Sequence, residues 1–354
     1  MLRIRLPLVL LVFVFTIDSL RAEPVDWLYD VKVPISERTQ SAAEKALPRC
    51  IEVLLMRLTG LANVPRVPEV QAAFANLNTF VKQYEFTKLP VNSPLGRGDG
   101  LVARFNSSLI RELIKEARFP VWPADRPSVL LWLTIHETSE SELVRDATPV
   151  ALELRKRALE RGIELVIPIM DLQEHTTITS SSLVGRFWSD LAIVSARYKA
   201  EFVAAVSCQR DLFGRYQTDI TYWYQGTEHF DHREIRARED IPVEVVDHIV
   251  DVLVNKHAIV REHEEIHRIG VRGVSSVESY AAVLKLLNGL DFIDDFFLVA
   301  LDNEVLIFDV YTPSSPKLFV ELVDATDSLE TVELEEPITD KKVMQLFSWV
   351  PRGD

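Results

Sequence analysis

Cysteine is scarce in this sequence, since Cys50 and Cys208 are the only two among 354 residues. Two cysteines allow at most one disulfide bond, which excludes a scaffold held by many disulfides. The residue patterns place Cys50 on a helix and Cys208 on a strand, in different predicted domains. We therefore expect two buried thiols that pack as small apolar side chains, and a single bridge is the alternative.

Motifs of common enzymes are also absent. The 12 glycines form no phosphate-binding loop, and no segment repeats at a fixed period. The serines of the TSSSL segment lack the glycine-flanked elbow of serine hydrolases. Acidic residues outnumber basic ones by 53 to 39, and the net charge of -14 disfavours nucleic acid and anionic lipid as partners. We therefore assign no catalytic residue and no cofactor.

The first 22 residues differ from the rest of the chain. Arg3 and Arg5 precede an apolar run over residues 6–15, and the segment closes on Ala22. A basic start, a short apolar core and a small last residue predict a secretory signal peptide. An uncleaved membrane anchor is the alternative, because Leu20 fits the cleavage motif poorly. No second apolar run is long enough to span a membrane, so we expect an exported, periplasmic protein without a transmembrane span in the mature chain.

An N-terminal α+β domain is predicted over residues 23–118. Alternating apolar residues predict a first strand, and Ser36 is the expected N-cap of the helix that follows. That helix has apolar residues at helical spacing and is expected to end at Gly60. Pro68 begins a second helix, and Asn106 caps the last one after two further strands.

A middle α/β domain is predicted over residues 119–263. The apolar run VLLWLTI predicts a strand covered on both faces. With a helix at residues 149–161 and the strand ELVIPIM it forms a βαβ step, so these two strands are expected to be parallel. A helix near residues 183–198, two strands and a helix from Asp240 complete the order βαβ–α–ββ–α.

The remainder of the chain is predicted to form a small βαββ unit over residues 264–320 and a C-terminal extension over residues 321–354. Residues 321–340 contain eight acidic and no basic side chains, which predicts a solvated extension. The sequence as a whole thus predicts an α+β or mixed α/β protein of two or three small domains.

The segment HEEIH at residues 263–267 matches the pattern of zinc peptidases. The pattern needs both histidines on one face of a helix, with the glutamate beside the metal-bound water. Charged Glu265 replaces the usual apolar residue, no histidine follows His267 as a third ligand, and RIGVRGV predicts a strand. We therefore predict no metal site and keep a zinc site of His263, Glu264 and His267 as the alternative.

Two further polar segments are assigned to loops. EHFDH, with His229, Asp231 and His232, has a workable spacing for metal ligands, but it lies between a predicted strand and a predicted helix, where polar loops are common. A loop is therefore predicted, and a metal site is the alternative. GRGDG at residues 96–100 is predicted to form the turn between two strands.

Three ordered blocks, PVWPADRPSVLLWL, IPIMDL and SARY, resemble the bacterial family catalogued as domain of unknown function 2066. The N-terminal part is similar as well, with a strand ending in VPI, a helix ending in RLTG and the segment VQAAFANLNTFVKQYEF. The resemblance covers residues 26–311. It implies export in a Gram-negative bacterium and no assigned activity. The middle unit is also similar in element order to the N-terminal domain of envelope proteins such as TolB, an analogy of architecture that does not fix function.

Three functional hypotheses follow. The leading one is a non-enzymatic periplasmic protein that binds an envelope protein or a cell-wall component. Its candidate surfaces are the turn at residues 96–100 and the acidic stretch after Glu321. The alternatives are a zinc-dependent hydrolase that uses HEEIH and a small-ligand binder with a pocket between the first two domains.

Overall fold

The computed structural model describes residues 28–351 apart from residues 139, 147, 187, 262–264, 303, 327 and 333–342. The strands described form three sheets, and helices pack against each of them. The predicted α+β class is therefore confirmed. The chain thus has a first, a middle and a third unit, each built on one of the three sheets.

The first unit contains a three-stranded antiparallel sheet in the order β1-β3-β2. Its elements are β1 (Asp30–Ile35), α1 (Gln40–Thr59), α2 (Pro68–Ala75), α3 (Leu77–Phe80), β2 (Val81–Leu89), β3 (Gly98–Phe105) and α4 (Ser107–Glu116). The predicted alternation of β1 is confirmed, because Val31 and Val33 are buried while Lys32 between them is exposed. Pro34 is tolerated here because β1 is an edge strand, on which outward N–H groups need no partner.

The limits of the helices follow local capping chemistry. Helix α1 begins after Thr39, whose hydroxyl accepts from the N–H of Ala42 at 3.2 Å, so the expected cap at Ser36 is wrong by one turn. It ends at Gly60 as predicted, with a left-handed φ of 72°. The predicted Asn106 cap of α4 is also confirmed, since its side chain accepts from two backbone N–H groups.

The middle unit contains a six-stranded sheet in the order β5-β4-β7-β8-β9, with β6 paired to β4. Its strands are β4 (Val129–His136), β5 (Ser141–Leu143), β6 (Leu165–Val166), β7 (Phe202–Arg210), β8 (Tyr216–Tyr224) and β9 (Thr227–Ile235). Its helices are α5 (Pro149–Arg161), α6 (Leu172–Thr177), α7 (Ser180–Val184), α8 (Trp188–Ser195) and α9 (Ile241–His257). Strands β4 and β6 are parallel, which confirms the predicted βαβ step.

Both faces of the middle sheet are covered, as predicted for β4. Val129 and Leu131 pack in the core beneath α5 and α9, whereas Leu130 and Trp132 pack against α7 and α8. The single helix expected near residues 183–198 is instead divided, because Arg186 adopts a left-handed φ of 57° between α7 and α8.

The third unit contains a five-stranded sheet in the order β11-β12-β10-β14-β13. Its elements are β10 (Glu265–Arg272), α10 (Val277–Gly289), β11 (Asp295–Asp302), β12 (Val305–Thr312), α11 (Pro316–Asp324), β13 (Leu329–Val332) and β14 (Gln345–Trp349). The solvated extension expected after Glu321 is therefore wrong for the described residues. The acidic side chains of this segment that the structure describes, Glu321, Asp324 and Glu330, are exposed, while Val323, Leu329 and Phe347 are buried in the third core.

Three arginines join the first unit to the middle unit through backbone carbonyls. Arg57 donates from Nε to the Leu159 carbonyl oxygen at 2.9 Å, and Arg126 donates from Nη2 to the Arg57 carbonyl oxygen at 2.6 Å. Arg161 donates from Nη2 to the Gly60 carbonyl oxygen at 2.9 Å. These bonds hold the C-terminal ends of α1 and α5 together, which fixes the walls of a cleft between the two units.

The first unit also contacts the third. Val121 and Ile259 exchange two backbone hydrogen bonds of 2.9 and 2.8 Å, and the Tyr29 hydroxyl donates to Asp291 at 2.6 Å. Among the described helices, none is both long and apolar enough to span a membrane.

Candidate functional site

A cleft of about 500 Å³ lies between the first and middle units. One side is formed by the exposed edge of β1, the floor by α1, and the opposite side by α5. Leu95, from the loop between β2 and β3, also lines the cleft. Its position between two units matches the pocket expected from the small-ligand hypothesis.

The α1 side chains that line the cleft follow helical spacing. Ala42, Lys45, Arg49, Val53 and Arg57 recur every three or four residues, so they lie along one stripe of the helix. The apolar stripe used for the core lies beside it, and α1 therefore serves the core with one face and the cleft with another.

The cleft is basic although the chain as a whole is acidic. Its lining includes five cationic side chains and one carboxylate, that of Glu160; the cations are Lys32, Lys45, Arg49, Arg57 and Lys156. Arg49 is neutralised by Glu160 at 2.7 Å and Glu52 at 2.9 Å. In the described part of the chain, Lys32 and Lys45 have no carboxylate within 4.0 Å. The cleft therefore presents unneutralised positive charge.

Arg57 is the most buried cation of the cleft, with 2% of its surface exposed. Besides its bond to Leu159, Nη1 donates to the Asp30 carbonyl oxygen at 3.1 Å. Burial lowers the pKa of Arg57 to about 10, so the guanidinium is still charged at neutral pH. Among the described residues no carboxylate lies within 4.0 Å of it. A buried cation without an ion-pair partner is costly, and an anion bound in the cleft would offset that cost.

Apolar side chains accompany this charge. Val33, Ile35, Val53, Leu95 and Leu159 contribute carbon surface to the lining. A site with apolar walls and a few fixed charges selects ligands that combine an apolar body with an anionic group. The arrangement suits carboxylates or phosphates of small size.

The HEEIH segment is only partly described, because His263 and Glu264 lie outside the described residues. Helix α9 ends at His257, and His267 lies on β10 with its side chain buried. Its Nε2 is 2.8 Å from the Ser314 carbonyl oxygen, so the ring is already bound within the third core. The helix that a zinc site of this pattern requires is absent at His267. No group of three or more metal-binding side chains occurs among the residues that the structure places.

The EHFDH segment belongs to β9, so its assignment to a loop is wrong. Because strand side chains alternate, His229 and Asp231 point to one face and His232 to the other. His232 contacts Asp219 at 2.7 Å, and Asp231 lies 3.2 Å from His248 on α9. The three side chains therefore do not converge on one site.

The GRGDG segment is only partly a turn. Gly96 lies in the loop with a left-handed φ of 86°, but Asp99 and Gly100 are part of β3. Asp99 is bound by Arg38 at 2.7 Å and Lys88 at 3.2 Å. The acidic residue of this motif is thus engaged within the first unit.

Two blocks of the family resemblance come together in the middle unit. Arg197 of SARY binds Asp171 of IPIMDL at 2.6 Å, and the hydroxyl of Tyr198 accepts from the Ile169 N–H at 3.2 Å. Tyr198 also donates to Glu174, which is completely buried. These polar contacts hold the α6–α8 layer on the sheet, which is a structural role.

Both cysteines are buried and free, as expected. Burial raises the pKa of Cys50 and of Cys208 to about 12, so neither thiol forms a nucleophilic thiolate at neutral pH.

The cleft residues were not identified from the sequence. Lys45 and Arg49 are four residues apart and lie beside the small side chains of Ala42 and Ala46, which is a local signal of a basic stripe on α1. The contribution of Lys156 and Glu160 depends on how α5 approaches α1, more than 100 residues later in the chain. No local pattern encodes that approach.

Residues 22–123 match the sequence profile of a domain of unknown function (DUF8605). An uncharacterised domain was expected, but the matching one is not the domain numbered 2066, and it covers only the first unit. The matched segment contains β1, α1 and the loop with Leu95, and so all of the cleft except the α5 residues. No curated protein matches this chain.

Proposed function

We propose that this chain is a non-enzymatic binding protein of the bacterial cell envelope, and that the cleft between α1 and α5 holds its ligand. The observation that carries the proposal is the group of unneutralised cations, Lys32, Lys45 and Arg57, at a cleft with apolar walls. The ligand is a small envelope component with a carboxylate or phosphate group. The volume of about 500 Å³ suits a small molecule and is too small to enclose a folded nucleic acid.

The proposal is tested by a thermal-shift screen in which each anionic compound is paired with a neutral analogue of the same size. A ligand present at 100 times its dissociation constant stabilises the native state by about 2.7 kcal/mol. For domains of this size that corresponds to a rise in melting temperature of roughly 5–10 °C. We expect such rises for carboxylates or phosphates and none for their neutral analogues.

The matched variants are Lys32→Gln with Lys45→Gln in the cleft, and Lys82→Gln with Lys285→Gln outside it. All four lysines are exposed, so neither pair is expected to change the fold. The cleft pair should remove most of the anion-induced shift, and the outside pair should leave it unchanged. Equal shifts in both double variants, or shifts with neutral analogues alone, would contradict the proposal.

Export to the periplasm is part of the same proposal and rests on the sequence of residues 1–22. The similarity of the middle unit to TolB-like domains is also part of it and rests on the order of its elements alone. If the signal peptide is cleaved where expected, the mature protein begins at Glu23. N-terminal sequencing of the protein from the periplasmic fraction checks this. An intact N-terminus in the membrane fraction would indicate the uncleaved anchor instead.

The zinc-dependent hydrolase is the alternative function. It requires about one zinc ion per chain, lost when a ligand is removed. Elemental analysis of untagged protein and of the His267→Ala variant separates the two functions. The buried position of His267 on β10 gives the hydrolase less support than the cleft gives a binding protein.

A further inference from the structure

A second, apolar groove lies on the other side of the middle sheet from α5, between α8 and the strands β7 and β8. Its volume is about 600 Å³. Trp188 of α8 and Trp223 of β8 form one wall, with ring centroids 5.0 Å apart and the rings edge to face. The indole N–H of Trp223 donates to Glu228 at 3.1 Å, so it needs no partner in the groove.

Small side chains leave the groove open. Ala192, Ala196 and Ala200 line it at intervals of four residues, where larger apolar residues would fill the space. Ser195 also lines it, but its hydroxyl already accepts from the indole N–H of Trp132 at 3.0 Å. The groove therefore offers carbon surface and few free hydrogen-bonding groups.

Lys199 is the one charged side chain among the groove residues that the structure identifies. Its backbone has a left-handed φ of 52°, and its N–H bonds to the Ala196 carbonyl oxygen at 3.3 Å, which fixes the residue at the end of the short 3-10 helix Ala196–Tyr198 that follows α8. No carboxylate lies within 4.0 Å of it in the described part of the chain.

We propose that this groove binds a single alkyl chain with one anionic head group, the chain lying along the alanines and the head group at Lys199. An extended peptide would bring backbone N–H and C=O groups that the groove cannot satisfy, and each such group is costly when buried. An alkyl chain has no such groups. The single cation matches a single negative charge, which differs from the group of cations at the basic cleft.

The proposal is tested by isothermal titration calorimetry with decanoate and with 1-decanol, which share a chain and differ in charge. In the background of Lys32→Gln with Lys45→Gln, which removes two cations of the basic cleft, we expect saturable binding of about one decanoate per chain at the groove, and weaker binding of 1-decanol. Lys199→Gln should weaken decanoate binding about two- to fivefold, the range of an exposed ion pair, and leave 1-decanol unchanged.

Ala196→Phe fills the groove and should abolish the binding of both compounds. Ala192→Phe, one turn earlier, is a second block in case the first variant misfolds. Ala72→Phe adds the same ring at an exposed position of α2 and should bind as the wild type does.

Binding that survives both groove blocks would overturn the proposal. Absence of decanoate binding in the Lys32→Gln and Lys45→Gln background, together with binding in the wild type, would also overturn it, because decanoate would then occupy the basic cleft alone. Absence of decanoate binding together with binding of an amphipathic helical peptide would also overturn it, and would assign the groove to a protein partner.

Discussion

Replacing Arg161 with alanine is expected to lower the free energy of unfolding by about 3 kcal/mol. The side chain is completely buried and binds three partners: Asp247 at 2.6 Å, Asp251 at 2.8 Å and the Gly60 carbonyl oxygen at 2.9 Å. It thereby connects α5 to α9 and to the end of α1. Removing it leaves a buried carbonyl without a donor and carboxylates without their closest cation.

The expected loss is near the lower end of the range for breaking a buried ion pair, because Asp247 keeps a second partner. Arg157 binds the same carboxylate at 2.8 Å and remains in the variant. Arg161→Met retains much of the side-chain volume and should recover part of the lost stability. The part recovered measures the cost of the cavity, and the remainder measures the cost of the lost hydrogen bonds.

Urea unfolding followed by tryptophan fluorescence measures these changes. The matched control is Arg155→Ala on the same helix, where the arginine pairs with partly exposed Asp146. Because exposed pairs contribute at most about 1 kcal/mol, the control should change the midpoint little. Equal effects of Arg155→Ala and Arg161→Ala would show that the connection between the units adds no stability.

The elements that the sequence predicted correctly depend on local chemistry. The alternation of β1, the stop of α1 at Gly60 and the cap at Asn106 are each set by residues within one or two turns. Strand β4 is predictable for a related reason, since a nearly continuous apolar run is typical of a strand between two covering layers.

The elements that were missed depend on distant partners. Strand β9 is an edge strand with mostly exposed side chains, so its sequence resembles a polar loop until β8 pairs with it. Strand β13 lies within the acidic stretch and pairs with β14, which in turn pairs with β10, more than 50 residues earlier. The basic cleft belongs to the same class, because α1 and α5 form it only once the arginine contacts hold them together.

Replacing Gly60 with alanine is the second large expected effect, a loss of about 3 kcal/mol in the free energy of unfolding. Gly60 ends α1 with a φ of +72°, where an L-residue costs roughly 1–2 kcal/mol. A Cβ at this position would also lie 2.5 Å from Cγ2 of Val254 on α9. Overpacking of this kind costs about 1–3 kcal/mol more, because the backbone or the valine must move.

Gly226 provides a matched control for the backbone term. Its φ of +74° is nearly the same, but no atom lies within 4 Å of the position of an added Cβ. Gly226→Ala should therefore cost only the roughly 1–2 kcal/mol of the left-handed conformation. The difference in the free energy of unfolding between the two variants, measured by urea unfolding, gives the cost of the contact between the added Cβ on Gly60 and Val254 of α9.

A double-mutant cycle tests whether Val254 is the residue that opposes the new methyl group. Val254→Ala should cost little in addition to Gly60→Ala, and less than it costs in the wild type, because it opens the space that the added Cβ needs. Additive losses would contradict this explanation and would place the cost in the backbone alone. The Gly60 carbonyl oxygen also accepts a hydrogen bond from Arg161 on α5. Strongly non-additive losses for Gly60→Ala and Val254→Ala would therefore mean that the backbone at Gly60 sets the distance between α1, α5 and α9. The width of the basic cleft depends on that distance.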